Sequence, residues 1–197
     1  MKTIVFIGDS VTDCDRLTIP PYGNGYVSLI AASKEINSPV INVGTSGNRL
    51  IDLEKRWRED VLENKPEILS IAIGVNDTWR RYDDNDVTDV VEFENRYRSL
   101  LAITRSECNS KFVLCEPFLL PVREEMVLWR EDLDPKIDVV HRLAREFDAL
   151  LIPYDAQFTK LAALSTMGEL AEDGIHPTRA GHALMAKLWL DTVRSYL

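Results

Sequence analysis

At 197 residues, 45% hydrophobic and 28% charged, the chain has the composition of an ordinary globular protein, with enough length to bury one sizeable core. Its net charge of −9 argues against a nucleic-acid backbone or an anionic membrane surface as the main partner. No stretch approaches the roughly 18 apolar residues of a membrane span, and the apolar run at 3–7 is too short for a secretory signal. The three cysteines, Cys14, Cys108 and Cys115, show no CxxC spacing, which leads us to expect a reduced, cytoplasmic chain without a disulfide framework.

In chain order, the first predicted element is a short buried strand at 3–7, ending abruptly on Gly8-Asp9-Ser10. A helix is expected at 26–36 and a second strand at 40–43, which runs into Asn42-Val43-Gly44-Thr45-Ser46-Gly47-Asn48. The helix predicted at 49–63 places Leu50, Leu53, Trp57 and Val61 on one face and a Glu54/Arg58 pair outside. A third strand at 68–73 ends on Gly74-Val75-Asn76-Asp77, and the polar segment 79–89 behind it reads as an exposed loop. The helix at 90–107 turns Phe93, Tyr97, Leu100 and Thr104 inward, and a fourth strand follows at 112–115.

The segment 118–134 again reads as a loop, packed through Leu119, Leu120, Val127 and Trp129. Helices at 135–147 and 158–165 flank a fifth strand at 150–154, and a last helix follows His176-Pro177-Thr178 and runs to about residue 195. Apolar runs without clean alternation indicate parallel strands buried on both faces. Strand–helix alternation at this spacing predicts an α/β protein: one domain over 1–197, with a five-stranded parallel sheet in flavodoxin-like order and helices on both faces. A TIM barrel would need eight strands and typically about 250 residues.

Parallel strands bring their carboxyl ends to one rim, so the motifs after strands one, two and three converge there. The loop Asp173-Gly174-Ile175-His176 joins them. Ser10 alone reads as a turn-former, a helix cap or a nucleophile. With these neighbours the fitting chemistry is acyl transfer: Ser10 as nucleophile, His176 as base and Asp173 as the carboxylate that orients the imidazole. The Ser10 and Gly44 N–H groups and the Asn76 amide are candidate oxyanion donors. Asp9 is expected to bond the backbone of its own turn, Asn42 and Asn48 to brace the Gly44 loop, and His141 and His182 to be structural. Ser46 lacks the G-x-S-x-G context of a nucleophile elbow.

Gly8-Asp9-Ser10, Gly44, Gly74-x-Asn76-Asp77 and Asp173-x-x-His176 resemble the four sequence blocks of the SGNH (GDSL-type) hydrolases, in the family's order, with Val11 in place of the usual leucine. The resemblance implies a three-layer α/β/α fold and a Ser10-His176-Asp173 esterase with no metal and no cofactor, its oxyanion hole formed by Ser10, Gly44 and Asn76. Arg56-Trp57, Glu59-Asp60-Val61, Lys65-Pro66 and Asn76-Asp77-x-Trp79-Arg80-x-Tyr82-Asp83 are similar to the branch containing intracellular acetylxylan esterases. That implies deacetylation of xylo-oligosaccharides and a homo-oligomer. Aromatic rings stack well on sugar faces, so Trp79 and Tyr82, beside Asn76, are candidate substrate-binding residues, with plain packing the alternative for Trp79. Longer acyl esters, as for a lysophospholipase or thioesterase, are the alternative within the fold. A metal-dependent phosphatase using Asp9, Asp13, Asp15, Asp77 and Asp173, and a silent carbohydrate-binding module, are the rivals outside it.

Overall fold

The computed structural model describes residues 3–164 and 167–197. Five strands, β1 (Ile4–Gly8), β2 (Val40–Asn42), β3 (Ile68–Ala72), β4 (Lys111–Cys115) and β5 (Leu150–Ile152), form one sheet in the order β2-β1-β3-β4-β5. Every neighbouring pair is parallel, with Ile4 opposite both Val40 and Ile68 and Gly8 opposite Ala72. The helices are α1 (Ser10–Asp13), α2 (Tyr26–Ala31), α3 (Leu50–Trp57), α4 (Val75–Asp83), α5 (Val90–Cys108), α6 (Glu125–Glu146), α7 (Tyr154–Ala162), α8 (Met167–Leu170) and α9 (Arg179–Val193).

Successive strand residues point to opposite faces, and both faces are apolar. Ile4, Phe6, Val113, Cys115 and Ile152 pack with Tyr26, Val27, Ile30, Phe158, Met185 and Trp189 from α2, α7 and α9. Val5, Ile7, Leu69, Ile71, Phe112 and Leu114 pack with Leu53, Trp57, Phe93, Tyr97, Val140 and Leu143 from α3, α5 and α6. The result is the expected three-layer α/β/α arrangement. A third cluster, Val75, Leu119, Met126, Trp129, Leu133, Ile137 and Ile175, lies outside these two and draws the start of α6 against α4 and the Asp173–His176 loop.

Several predicted elements are corrected. The segment 79–89 is no loop at its start, because α4 runs through Asp83. Its charged half is held by Arg80 pairing with Asp83 and Asp84, at helical spacing on the outer side. Most of 118–134 is also helical: α6 begins at Glu125 and continues through Pro135, which was expected to start a helix, not to lie inside one. Two anchors fix this stretch. Arg130 forks onto Asp155 (2.6 and 2.8 Å) and donates to the Leu119 carbonyl (3.1 Å), while Met126, Trp129 and Leu133 are buried.

The 26–36 helix stops at Ala31, and the Ser33 hydroxyl accepts from the Glu35 amide, a local alternative to continued helix. At 49–63, α3 gives way after Trp57 to a π-helical turn, Arg58–Leu62. Glu54 and Arg58 do not pair: Glu54 meets Arg96, and Arg58 meets Glu107, both on α5. The predicted helix at 158–165 is α7, which begins at Tyr154; residue 165 lies outside the described residues.

The tip of β1 is tightly fitted. A Cβ on Gly8 would stand 2.3 Å from the Ala72 carbonyl oxygen of β3 and 2.5 Å from the Thr12 hydroxyl. Gly8→Ala is therefore expected to destabilise the protein by about 1–3 kcal/mol, the usual cost of overpacking, read as a lowered urea midpoint with unchanged slope.

Candidate active site

Ser10 begins α1 directly after β1, so its N–H belongs to the donors that a helix start leaves unpaired. Asp9 caps that helix, accepting from the Val11 amide at 3.0 Å. It is 2% exposed, and burial pushes its carboxyl up to about 6 against the Val11 bond and the His176 charge. This is the structural role expected of it.

The Ser10 hydroxyl lies 2.9 Å from His176 Nε2, and His176 Nδ1 lies 2.6 Å from Asp173 Oδ2. The other carboxylate oxygen, Oδ1, accepts from the backbone amides of His176 (2.7 Å) and Ile175 (2.9 Å). Burial alone would raise the Asp173 carboxyl; the His176 ring and these two amides outweigh it and hold it below the ordinary range. An ionised Asp173 only accepts, so Nδ1 carries the proton and Nε2 is left to accept from Ser10. The turn is seated by Gly174, whose carbonyl accepts from the Leu120 amide at 2.9 Å. At its far end Thr178 caps α9 through the Gly181 amide.

Gly44 follows β2 and lies flush on α1, where a Cβ would come within 2.4 Å of Asp13 N and 2.7 Å of Thr12 C. Its N–H donates to Asn42 Oδ1 at 2.9 Å, and Asn42 Nδ2 donates to the Thr12 and Tyr22 carbonyls. Asn42 thus braces this loop as expected, and in doing so it takes up the Gly44 donor. Asn76 is 2% exposed, in the first turn of α4, and its Nδ2 donates to the Asn48 carbonyl at 3.1 Å. The second amide hydrogen is left for a ligand.

Trp79 and Tyr82 lie on α4 with Asn76 and belong to a row of rings. Trp79 is 6.2 Å from His176 and 6.0 Å from Trp129 between ring centroids; Tyr82 stacks on Trp129 at 5.3 Å. The Tyr82 hydroxyl donates to the Leu128 carbonyl at 2.8 Å. Trp129 was legible only as a packing residue, since its neighbourhood was read as loop.

The other predicted candidates fall elsewhere. His182 accepts from the Tyr26 amide and contacts Cys14 Sγ at 3.3 Å, and burial depresses its pKa to about 4. His141 pairs with the buried Glu116 at 2.5 Å. Asp13 accepts from the Ser46 amide and hydroxyl, and Asp77 from the Leu50 amide. Among the described residues, no group of three or more His, Cys, Asp or Glu side chains is placed to hold a metal ion.

The model of the GDSL-like lipase/acylhydrolase family matches residues 6–184, a span that contains all four motifs. The chain belongs to the GDSL-like lipase/acylhydrolase family. It is a carboxylic ester hydrolase with the SGNH-type α/β/α fold. An acetylxylan esterase from Geobacillus stearothermophilus is 34% identical over 204 residues, covering 96% of this chain and 92% of the relative. A crystal structure of that bacterium's acetylxylan esterase superposes with a TM-score of 0.87 at 32% identity, covering 98% of this chain and 94% of the other. A GDSL-like lipase structure from Parabacteroides merdae superposes with a TM-score of 0.91 at 33% identity, covering 97% and 94%. Catalytic mutants of the Geobacillus enzyme replace a serine, an aspartate and a histidine, the last two standing three residues apart.

Asp77, next to Asn76 in the first turn of α4, is fully buried. Burial pushes its carboxyl up to about 7, against the Leu50 amide, the Lys136 and Arg49 charges and the Thr88 hydroxyl. The folded state therefore holds a proton that the unfolded chain, with an ordinary value near 4, releases. The associated stability is present at pH 4 and is lost as pH rises through about 7. The melting temperature of wild type should fall between pH 5 and pH 8, and that of Asp77→Asn should fall less. Parallel curves would show that Asp77 is ionised in the fold throughout.

Proposed function

We propose that this hydrolase deacetylates short acetylated carbohydrates, of the xylo-oligosaccharide class, through an acyl-serine intermediate. One observation carries the reading: the unbroken hydrogen-bonded series from the Ser10 hydroxyl through His176 to Asp173, at the open edge of the sheet. Ser10 Oγ attacks the acetyl carbonyl while His176 Nε2 takes its proton, and Asp173 stabilises the imidazolium. The Ser10 N–H and the free Asn76 amide hydrogen serve the oxyanion. The Gly44 N–H joins them by sharing or exchanging its bond to Asn42. His176 then protonates the departing sugar oxygen, and water repeats the sequence on the acyl-serine. No step in this sequence calls on a metal or cofactor.

Two features support a small acyl group on a sugar. Behind Asp9, the residue before Ser10, a cavity lined by Asp9, Val11, Val75, Glu116, Phe118 and Met185 has a volume of only ≈ 20 Å³, room for about one water-sized group and not for a long acyl chain. The ring row from His176 through Trp79 offers flat apolar faces on the alcohol side, and the related Geobacillus protein is an acetylxylan esterase. Residues 1–197 act in this reading as one catalytic domain. Free Cys14, Cys108 and Cys115 suit a reducing cytoplasm, and no helix among the described residues is long and apolar enough to cross a membrane. We extend the reading to a homo-oligomer, which light scattering of the purified protein measures directly.

Acetate release from acetylated xylo-oligosaccharides should be fast, insensitive to EDTA and abolished in Ser10→Ala, with p-nitrophenyl octanoate turned over poorly. Rapid octanoate turnover with inert sugars would move the substrate to longer acyl esters. Trp79→Ala should raise KM for the oligosaccharide about tenfold while leaving KM for p-nitrophenyl acetate near wild type, the loss of one stacking contact of about 1–1.5 kcal/mol. An equal rise for both substrates would place Trp79 in general packing.

A further inference from the structure

Arg56 lies in the last turn of α3, outside the triad and outside the four motifs, yet its guanidinium reaches the supports of the oxyanion donors. Nη1 donates to the Val43 carbonyl at 2.7 Å. That carbonyl belongs to the same peptide group as the Gly44 N–H, so holding one end of the plane sets the direction of the other. Nε donates to Asn48 Oδ1 at 2.7 Å, and the Asn48 carbonyl is the group that receives Asn76 Nδ2. Nη2 reaches the Gly8 carbonyl at 3.3 Å, at the turn that leads into Ser10; the same carbonyl accepts from the Thr45 amide at 3.0 Å. Asp60, one turn on along the chain, pairs with Nη1 and fixes the head group from behind.

One planar cation therefore bonds a group behind each of the three donors. A lysine ammonium could not satisfy this fork, since its three hydrogens radiate from one atom. The side chain is about one-fifth exposed, so solvent screens its charge only in part. A positive charge on the Val43 oxygen also polarises that peptide and makes the Gly44 N–H a stronger donor.

We propose that Arg56 is a positioning residue for the oxyanion hole, acting through the Val43–Gly44 peptide, Asn48 and the Gly8 turn. This rests on the serine-esterase reading and deepens it: the donors that receive the negative charge are held in register from one point beneath the sheet rim. A displacement of such donors by a fraction of an ångström weakens transition-state binding more than ground-state binding.

The test measures kcat and KM on p-nitrophenyl acetate for Arg56→Lys and Arg56→Met, with Ser10→Ala and Asn76→Ala alongside and melting temperatures for all. The expected result is a fall in kcat of about 10–100-fold with KM within about threefold. Arg56→Lys should lose nearly as much as Arg56→Met. In the Asn76→Ala background, Arg56→Met should cost clearly less than it does alone, since part of its effect passes through Asn76. The proposal is overturned if kcat stays within twofold of wild type in both variants, or if the Arg56 and Asn76 losses multiply without coupling. Loss of the folded state in both Arg56 variants would also overturn it, making Arg56 a structural residue. These failures leave the serine-esterase reading intact so long as Ser10→Ala is inactive; a fully active Ser10→Ala would sink that reading first.

Discussion

A parallel sheet has two unlike edges, and at its carboxyl edge each strand must hand the chain to a turn. In this protein, residues that neither packing nor helix propensity asks for are gathered at that edge: Gly8-Asp9-Ser10 after β1, Gly44 after β2 and Gly74-Val75-Asn76-Asp77 after β3. The sheet order places β1 between β2 and β3, so the Ser10 turn is flanked on one side by the turn that carries Gly44 and on the other by the turn that carries Asn76. A different order would keep every motif and scatter the site. The parallel register, fixed by apolar residues far below the rim, is thus the constraint on which the chemistry depends.

Polar groups crowded at such an edge need internal partners, and the structure separates those that are satisfied from those left open. Asp9, Asn42 and Asp77 are nearly fully buried, and each accepts a backbone amide within its own turn or the neighbouring one. They are framework. Ser10 and His176, by contrast, meet each other and face the cleft, with Asp173 spending two acceptors on its own backbone and one on the imidazole. Gly44 and Asn76 lie between these classes. Gly44 N–H is engaged by Asn42, and Asn76 has one hydrogen engaged and one open, so the site is braced in the absence of substrate and needs only small exchanges to receive it.

Much of this was legible in the sequence. Apolar runs located all five strands, because strands buried on both faces need no pattern subtler than continuity. The four motifs marked residues that the fold gathers at one rim, since residue types such as Asp-x-x-His at a loop have few other reasons to occur together. Helix starts rich in polar residues were not legible. In α4, Asn76 and Asp77 look like a turn yet are buried, because tertiary partners, the Asn48 carbonyl and the Leu50 amide, replace solvent. In α6, Pro135 invited a helix start at a position where packing of Met126, Trp129 and Leu133 and the Arg130–Asp155 fork had already committed ten preceding residues to helix. Pairing was equally out of reach: Glu54 and Arg58 are ideally spaced on one helix, but Arg96 and Glu107 on α5 offer partners that also tie two helices together.

These two misread helices are also what gives the site its walls. α4 carries Asn76 at its start and Trp79 and Tyr82 one and two turns on, so the Asn76 amide and these two rings share one helix. α6 backs that body through Trp129, which stacks on Tyr82 and touches Trp79, while Met126 packs with Ile175 beneath the Asp173–His176 turn. His176 and the Trp79–Tyr82 rings therefore rest on the same cluster, while Ser10 rests on the sheet core under β1. Ser10 and His176 meet across the seam between the two. Packing in the third cluster thus bears on two things at once, the reach of His176 to Ser10 and the position of Trp79 beside it. In the proposed reading, substrate size and catalytic geometry are coupled through these shared contacts and through the Tyr82 hydroxyl, which ties α4 to the Leu128 carbonyl of α6.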